Sequence, residues 1–302
     1  MSKHAPKVMA ASLTPLNSNF SIDHAQFGKH IHWLLDQGCD GVVLFGTTGE
    51  GNSFSVAERK AALQAVVDQG INPERLVVAT GCCALPDTVE LTRHALACGV
   101  HQMLVLPPFY YKTASDNGIF ESFSQLIAQV DSEDLKILLY HFPKMAVVNF
   151  SPELIERLVS SFPAHITGIK DSTGDREHTQ MLSDRFPSLA VYAGSEMFLA
   201  DYLQAGGAGC ISATANATAA LAASVRDATS SAEQREIQHQ LSAVRGAFEA
   251  FPLTGVLKGL LAHETEHKQW NIVRCPLSTL APEKTQALAN QLSELGFRLP
   301  AQ

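Results

Sequence analysis

Residues 40–70 read DGVVLFGTTGEGNSFSVAERKAALQAVVDQG. This stretch decides the fold because it holds one complete structural unit. It opens on an apolar, β-branched run of strand length, Gly41–Phe45. A glycine-spaced turn follows, and from Val56 apolar positions recur at helical spacing until Gly70, the expected helix stop. Similar runs stand at 7–13 (KVMAASL), 75–81 (RLVVATG), 102–108 (QMLVLPP), 136–142 (KILLYHF), 166–171 (ITGIKD), 189–194 (LAVYAG) and 208–214 (AGCISAT). Helical spacing follows most of them, and the segments 24–38 and 85–99 also end on glycine. Near-continuous apolar strands are what a parallel sheet covered by helices requires. Strand–helix alternation implies the α/β class, and eight such runs imply a closed (β/α)8 TIM barrel. The competing open, doubly wound sheet usually carries a glycine-rich phosphate loop after its first strand; SLTPLNSNF at 12–20 has none.

After about residue 217 the strand signals stop and 218–230, 231–251, 253–270 and 281–297 read as helices. The expected organisation is a catalytic barrel over 1–222 with a C-terminal helical extension, 223–302, packed on it.

The chain has 302 residues, of which 46% are apolar and 17% charged, suiting a globular protein with a substantial core. Its formal net charge is −8 and no Lys/Arg-rich run appears, so no nucleic-acid partner is expected. No apolar run reaches eighteen residues, which argues against a membrane span. The opening MSKHAPKVMAASL lacks a sustained apolar run before a cleavage site, so a cytoplasmic location is expected. The six cysteines, Cys39, Cys82, Cys83, Cys98, Cys210 and Cys275, form no C-x-x-C and are expected as buried free thiols, with Cys82 and Cys83 pointing opposite ways on a strand.

Barrel chemistry sits at the C-terminal ends of the strands, so the residues closing each run are the candidates. FGTTGEG, 45–51, places Gly46, Thr47 and Thr48 where backbone N–H groups and hydroxyls converge, a natural cradle for a carboxylate. Tyr110 and Tyr111 follow the fourth run and Tyr140 closes the fifth. Lys170 directly follows the apolar ITGI. Burying an ammonium is expensive unless it is paired, and desolvation favours the neutral amine that attacks a carbonyl. Lys170 is therefore a Schiff-base candidate, with an ion pair to Asp171 or another carboxylate as the alternative. A pyridoxal enzyme would also use a lysine, but its phosphate cradle and pyridinium partner are not both identifiable.

GTTGEG, PPFYY, LLYHFP, GIKDSTGD, AGSE and GGAGCISATAN stand in this order at successive strand ends. Together they resemble the dihydrodipicolinate synthase/N-acetylneuraminate lyase family of pyruvate-dependent class I aldolases, over nearly the whole chain. The resemblance implies that Lys170 forms the Schiff base with pyruvate or a 2-keto acid and that Tyr140 shuttles a proton. It implies that Thr47 and Thr48 hold the substrate carboxylate and that Thr47 links Tyr140 to a second tyrosine. That tyrosine is Tyr110 or, with the alignment slipped by one, Tyr111; in relatives it reaches into the neighbouring subunit's site. Ile211 matches a position whose backbone lines the pyruvate pocket. The resemblance also implies a homo-oligomer, a dimer of dimers, that needs no cofactor and no metal.

One departure bears on the substrate. Dihydrodipicolinate synthases usually read Y-N-x-P-x-R-T-G, with the arginine on the carboxylate of the aldehyde partner. Here the stretch is YHFPKMAV: His141 replaces Asn, and Met145 stands where Arg is expected. Methionine cannot supply a bidentate fork. The expectation is a 2-keto-3-deoxy sugar acid aldolase or dehydratase, with His141 and Lys144 as candidate contacts to substrate hydroxyls or carboxylate. The alternatives are 4-hydroxy-tetrahydrodipicolinate synthase, joining pyruvate to aspartate semialdehyde, and a non-catalytic sugar-acid binding protein. The latter has no need of Lys170 and Tyr140 together.

His263, Glu264 and His267 spell H-E-x-x-H, the zinc-protease signature. The segment falls in the helical tail, no histidine follows to complete a ligand set, and Trp270 stands where the extended motif wants glycine. Glu283 or Glu294 could complete a Glu-type site, but no strand-rich protease scaffold precedes the motif. A solvated helix face is the expected reading.

Overall fold

The computed structural model describes residues 4–265 and 267–301. The unit read at 40–70 is present as β2, Gly41–Leu44, and α2, Val56–Asp68, whose N-terminus is closed by a capping box between Ser55 and Glu58. Its companions on the N-terminal side are β1 (Lys7–Ala11) and α1 (His24–Asp36). Further along come β3 (Leu76–Ala79), α3 (Leu85–Ala97), β4 (Gln102–Val105), α4 (Asp116–Val130) and β5 (Lys136–His141). A short α5 (Pro143–Ala146) and α6 (Pro152–Ser161) lead to β6 (Ile166–Asp171) and α7 (Arg176–Arg185). The circuit is completed by β7 (Ala190–Ala193), α8 (Leu199–Gln204), β8 (Gly209–Ser212) and α9 (Ala215–Asp227).

The eight strands pair in sequence order, all parallel, and β8 returns to β1, closing the barrel. Alternation along each strand divides the side chains between two cores. Val43, Val77, Leu104, Leu138, Tyr140, Tyr192 and Ile211 fill the barrel interior. Their neighbours, among them Val42, Leu44, Val78, Ile137, Leu139, Ile169 and Cys210, face the surrounding helices. Both faces of each strand are thus dry, which is why the runs read as continuous apolar sequence.

The tail comprises α10 (Ser231–Phe248), α11 (Leu253–Glu264) and α12 (Pro282–Glu294). It builds a third core from Val244, Phe248, Val256, Leu260, Trp270, Leu288 and Leu292, and this core includes Leu13 and Ala217 of the barrel. The expected division at 222/223 falls inside α9, which runs unbroken across it. Among the described residues no helix is long and apolar enough to cross a membrane.

Two expectations need correction. All six cysteines are free, but only Cys39, Cys98 and Cys210 are buried; Cys82 is half-buried, and Cys83 and Cys275 are exposed. Because β3 ends at Ala79, Cys82 and Cys83 lie in the following loop and not on a strand. Secondly, α11 ends at Glu264, with the Thr265 N–H donating to the Leu261 carbonyl. His267 lies beyond that end, so His263 and His267 share no helix face, solvated or zinc-binding.

Candidate active site

The paired strands β5 and β6 set Tyr140 directly beside Lys170. Both side chains point into the barrel near its C-terminal mouth and both are buried, at 4% and 5% exposure. The Lys170 ammonium lies 4.7 Å from the centroid of the Tyr140 ring. Asp171, the next residue, points to the opposite face, so the expected alternative of a Lys170–Asp171 ion pair is not what forms. Its carboxylate accepts hydrogen bonds from Thr173 and Thr179 and lies 3.1 Å from His178 Nδ1. Lys170 makes no hydrogen bond or ion pair among the described residues. Its ammonium thus meets the face of the Tyr140 ring but no carboxylate, and an ammonium held at 5% exposure without an ion pair is an energetic cost.

The Tyr140 hydroxyl lies 3.3 Å from Thr47 Oγ1, on the turn after β2. That turn closes through Glu50 N–H to Thr47 O (3.2 Å) and Gly51 N–H to Gly46 O (3.1 Å). Phe45 and Glu50 adopt the left-handed conformation, at φ 58° and 57°. Thr48 is 8% exposed, and a Cβ built on Gly46 would meet nothing within 4 Å, so open space fronts the turn there. Ile211 projects into the barrel interior from β8. Lys170, Tyr140 and Thr47 therefore form one connected group, with the backbone of 46–48 bordering it.

The other candidates stand apart from that group. Tyr110 and Tyr111 lie on the loop after β4, 71% and 72% exposed, with their rings edge to face at 5.2 Å. Lys144 is exposed and makes no hydrogen bond or ion pair among the described residues; its ammonium sits by Gly174 in the loop after β6. His141, expected at the substrate, faces the helix layer instead. Its ring stacks on His178 at 5.2 Å, and its Nδ1 accepts the Phe150 N–H at 3.3 Å. Strand alternation carries that signal, since with Tyr140 facing inward His141 faces outward.

An amine, two hydroxyls and a glycine-spaced turn thus meet at the mouth of one barrel. A profile of the dihydrodipicolinate synthetase family matches residues 4–295. The chain belongs to that family. An uncharacterized DapA-like lyase of Chloroflexus aurantiacus is 36% identical over 284 residues, covering 93% of this chain and 94% of that protein. The 4-hydroxy-tetrahydrodipicolinate synthase of Agrobacterium fabrum is 31% identical over 295 residues, covering 95% and 97%. The crystal structure of dihydrodipicolinate synthase from Agrobacterium tumefaciens matches at TM-score 0.85 and 32% identity, covering 96% of this chain and 99% of that one. A Sulfolobus solfataricus 2-keto-3-deoxygluconate aldolase variant shares the fold at TM-score 0.84 and 21% identity, covering 96% of each chain.

Within this dihydrodipicolinate synthetase family lyase, three groups around the site escaped sequence reasoning. Glu50 of GTTGEG is fully buried and ion-paired with Lys258 of α11. Glu196 of AGSE is buried outside the barrel, accepting hydrogen bonds from the Ser212, Thr214 and Thr218 hydroxyls. Asn216 ties β1 to the loop after β8, accepting from Leu13 N–H and donating to the carbonyls of Ala11 and Ala213. The available signal was polar residues set among small ones, in GTTGEG and ISATAN.

Among the described residues, one trio has metal-ligand composition: His141, Asp171 and His178. Its donor set does not suit a metal. With the Phe150 N–H directed at His141 Nδ1, that nitrogen carries the lone pair and Nε2 carries the proton. A ligating imidazole needs the reverse, a free lone pair at the metal and an N–H at the other nitrogen. Burial holds His141 at about 4, below its ordinary 6.5, with Asp171 opposing the shift and His178 adding to it. The trio ties β5, β6 and α7 together behind the Tyr140–Lys170 pair.

Proposed function

We propose that the protein is a Schiff-base lyase acting on a 2-keto acid, with pyruvate as product or substrate, and specifically a 2-keto-3-deoxy sugar acid aldolase or dehydratase. The observation that carries this reading is Lys170, buried without an ion pair and lying against Tyr140 in the barrel. The lysine amine adds to the 2-oxo carbon and water departs, leaving a protonated imine. In the aldolase direction, Tyr140 takes the proton of the C4 hydroxyl, the C3–C4 bond breaks, and its electrons flow into the imine to give an enamine and an aldehyde. Proton return to C3 and hydrolysis release pyruvate and restore the lysine. In the dehydratase direction, loss of a C3 proton and a hydroxide equivalent replaces C–C cleavage. The turn at 46–48 would hold the substrate carboxylate, and Thr47 would align the Tyr140 hydroxyl.

The second reading is 4-hydroxy-tetrahydrodipicolinate synthase, favoured by the relatives of that name. Met145 opposes it, because the thioether offers no bidentate donor to a second carboxylate. A homo-oligomer built as a dimer of dimers accompanies the proposal. Tyr110, Tyr111, Met145 and Val147 support it as exposed apolar side chains on the segments that follow β4 and β5, Met145 within the short α5. A non-catalytic binding role finds no support in a lysine kept buried without an ion pair.

The test is borohydride trapping with pyruvate, followed by peptide mass mapping, on wild type and Lys170→Ala. A reduced pyruvyl adduct on Lys170, absent from the variant, is the expected result, and screening of 2-keto-3-deoxy acids then names the substrate. No adduct with pyruvate or any sugar acid, on folded protein, would sink the proposal.

A further inference from the structure

We infer that Lys258 and Glu50 are positioning residues: the helical tail holds, through this buried pair, the turn that presents Thr47 and Thr48 to the substrate carboxylate. The inference rests on the Schiff-base reading above and assigns a role to the tail, whose described residues otherwise contribute no group to the site.

Both side chains of the pair are fully buried. The Glu50 carboxylate is shared: Oε1 takes the Lys258 ammonium, and Oε2 accepts the Arg274 backbone N–H at 2.7 Å. Lys258 donates again, to the Ile272 carbonyl at 2.8 Å. Thr254, one helical turn before Lys258, donates its hydroxyl to the Thr48 carbonyl at 3.3 Å. Two segments of the tail therefore grip the turn, α11 and residues 272–274, across sequence separations of 206 to 224 residues.

The grip acts on the peptide that matters. The Thr47 carbonyl accepts the Glu50 N–H, which sets the plane of the Thr47–Thr48 peptide and hence the direction of the Thr48 N–H. The turn then closes because Glu50 is left-handed, at φ 57°, which directs the Gly51 N–H back to the Gly46 carbonyl at 3.1 Å; that conformation is costly for a residue with a Cβ and calls for a restraint. The restraint visible here is the side chain's attachment to Lys258 and Arg274. A buried ion pair is a poor source of net stability compared with apolar packing, so its value lies in fixing one arrangement.

The experiment compares wild type, Lys258→Met, Glu50→Gln and a control, Asp40→Asn. Asp40 accepts the Val8 N–H and pairs with Arg226 at the opposite end of the barrel. Each protein is titrated with pyruvate, and the initial rate of borohydride-trapped adduct on Lys170 is measured at a temperature where circular dichroism shows full folding. Lys258→Met is expected to raise the half-saturating pyruvate concentration at least tenfold while the rate at saturation falls less. Asp40→Asn is expected to lower the melting temperature without that change. Glu50→Gln preserves shape and gives the same reading if Lys258→Met fails to fold. Half-saturation within twofold of wild type in either folded variant overturns the inference and leaves the pair as a stability element. A wild type that gives no adduct overturns the Schiff-base reading first, and the inference with it.

Discussion

The Thr47 hydroxyl stands 3.3 Å from the Tyr140 hydroxyl, although 93 residues separate them in the chain. On the proposed Schiff-base reading, the contact joins the turn that would hold the carboxylate to the hydroxyl that would carry the proton, so one element would set both. Tyr140→Phe keeps the ring that flanks Lys170 and removes only the hydroxyl. Turnover is expected to fall by about 10²–10⁴, while pyruvate still traps on Lys170. Loss of trapping in a folded Tyr140→Phe protein would show that the ring, and not the proton, is what Lys170 needs.

Met145 is 58% exposed, so an arginine fits there without repacking the core. Met145→Arg is expected to raise kcat/KM for aspartate semialdehyde with pyruvate by about tenfold or more, the worth of a charge-assisted hydrogen bond, and to leave uncharged aldehydes unaffected. Equal changes for charged and uncharged aldehydes would show that this position does not meet the partner carboxylate.

A Cβ at Gly51 would lie 1.8 Å from the Phe45 carbonyl oxygen, so the 45–51 turn must open to admit it. Gly51→Ala is expected to cost about 1–3 kcal/mol in urea unfolding, in line with other overpacked sites, and to weaken pyruvate saturation. Full stability in that variant would mean that the turn is more pliant than its hydrogen bonds imply.

Two histidines make stability fall on the acid side. Burial holds His30 at about 4 against the hydrogen bond with Asn216, and His141 is held at about 4 as well, both from an ordinary 6.5. Between those limits the unfolded chain binds protons that the native chain refuses. The stabilisation is therefore complete above pH 6.5 and is lost as pH falls toward 4. Lowering the pH from 7.5 to 5 is expected to remove roughly 2 kcal/mol per histidine, read from urea midpoints. Glu58, held at about 2 chiefly by its hydrogen bond with Arg274, adds its own loss only below about 4.5. A His141→Phe variant should show about half the wild-type pH dependence; an undiminished slope would assign the effect elsewhere.

Much of this site was legible in the chain because barrel chemistry sits where apolar runs end. Lys170 and Tyr140 announce themselves as polar groups closing such runs. Orientation was less legible, though the means existed. Adjacent strand residues face opposite ways, so a functional Tyr140 already commits His141 to the helix layer and a functional Lys170 commits Asp171 there too. The end of α11 at Glu264 was hidden because Thr265 and His267 continue a plausible helical pattern.

By itself the sequence determined the strand–helix rhythm, the closed barrel and the residues proposed to carry the chemistry. These follow from local apolar periodicity and from short motifs, which neighbouring residues suffice to specify. Only the tertiary structure decided that Glu50 is bound by Lys258 and Arg274, that Asp171 takes Thr173, His178 and Thr179 as its partners, and that Tyr110 and Tyr111 stand outside the barrel. Each of these depends on which groups share a dry space after the chain has closed, and a residue's burial and partners are set there by segments up to 224 residues away.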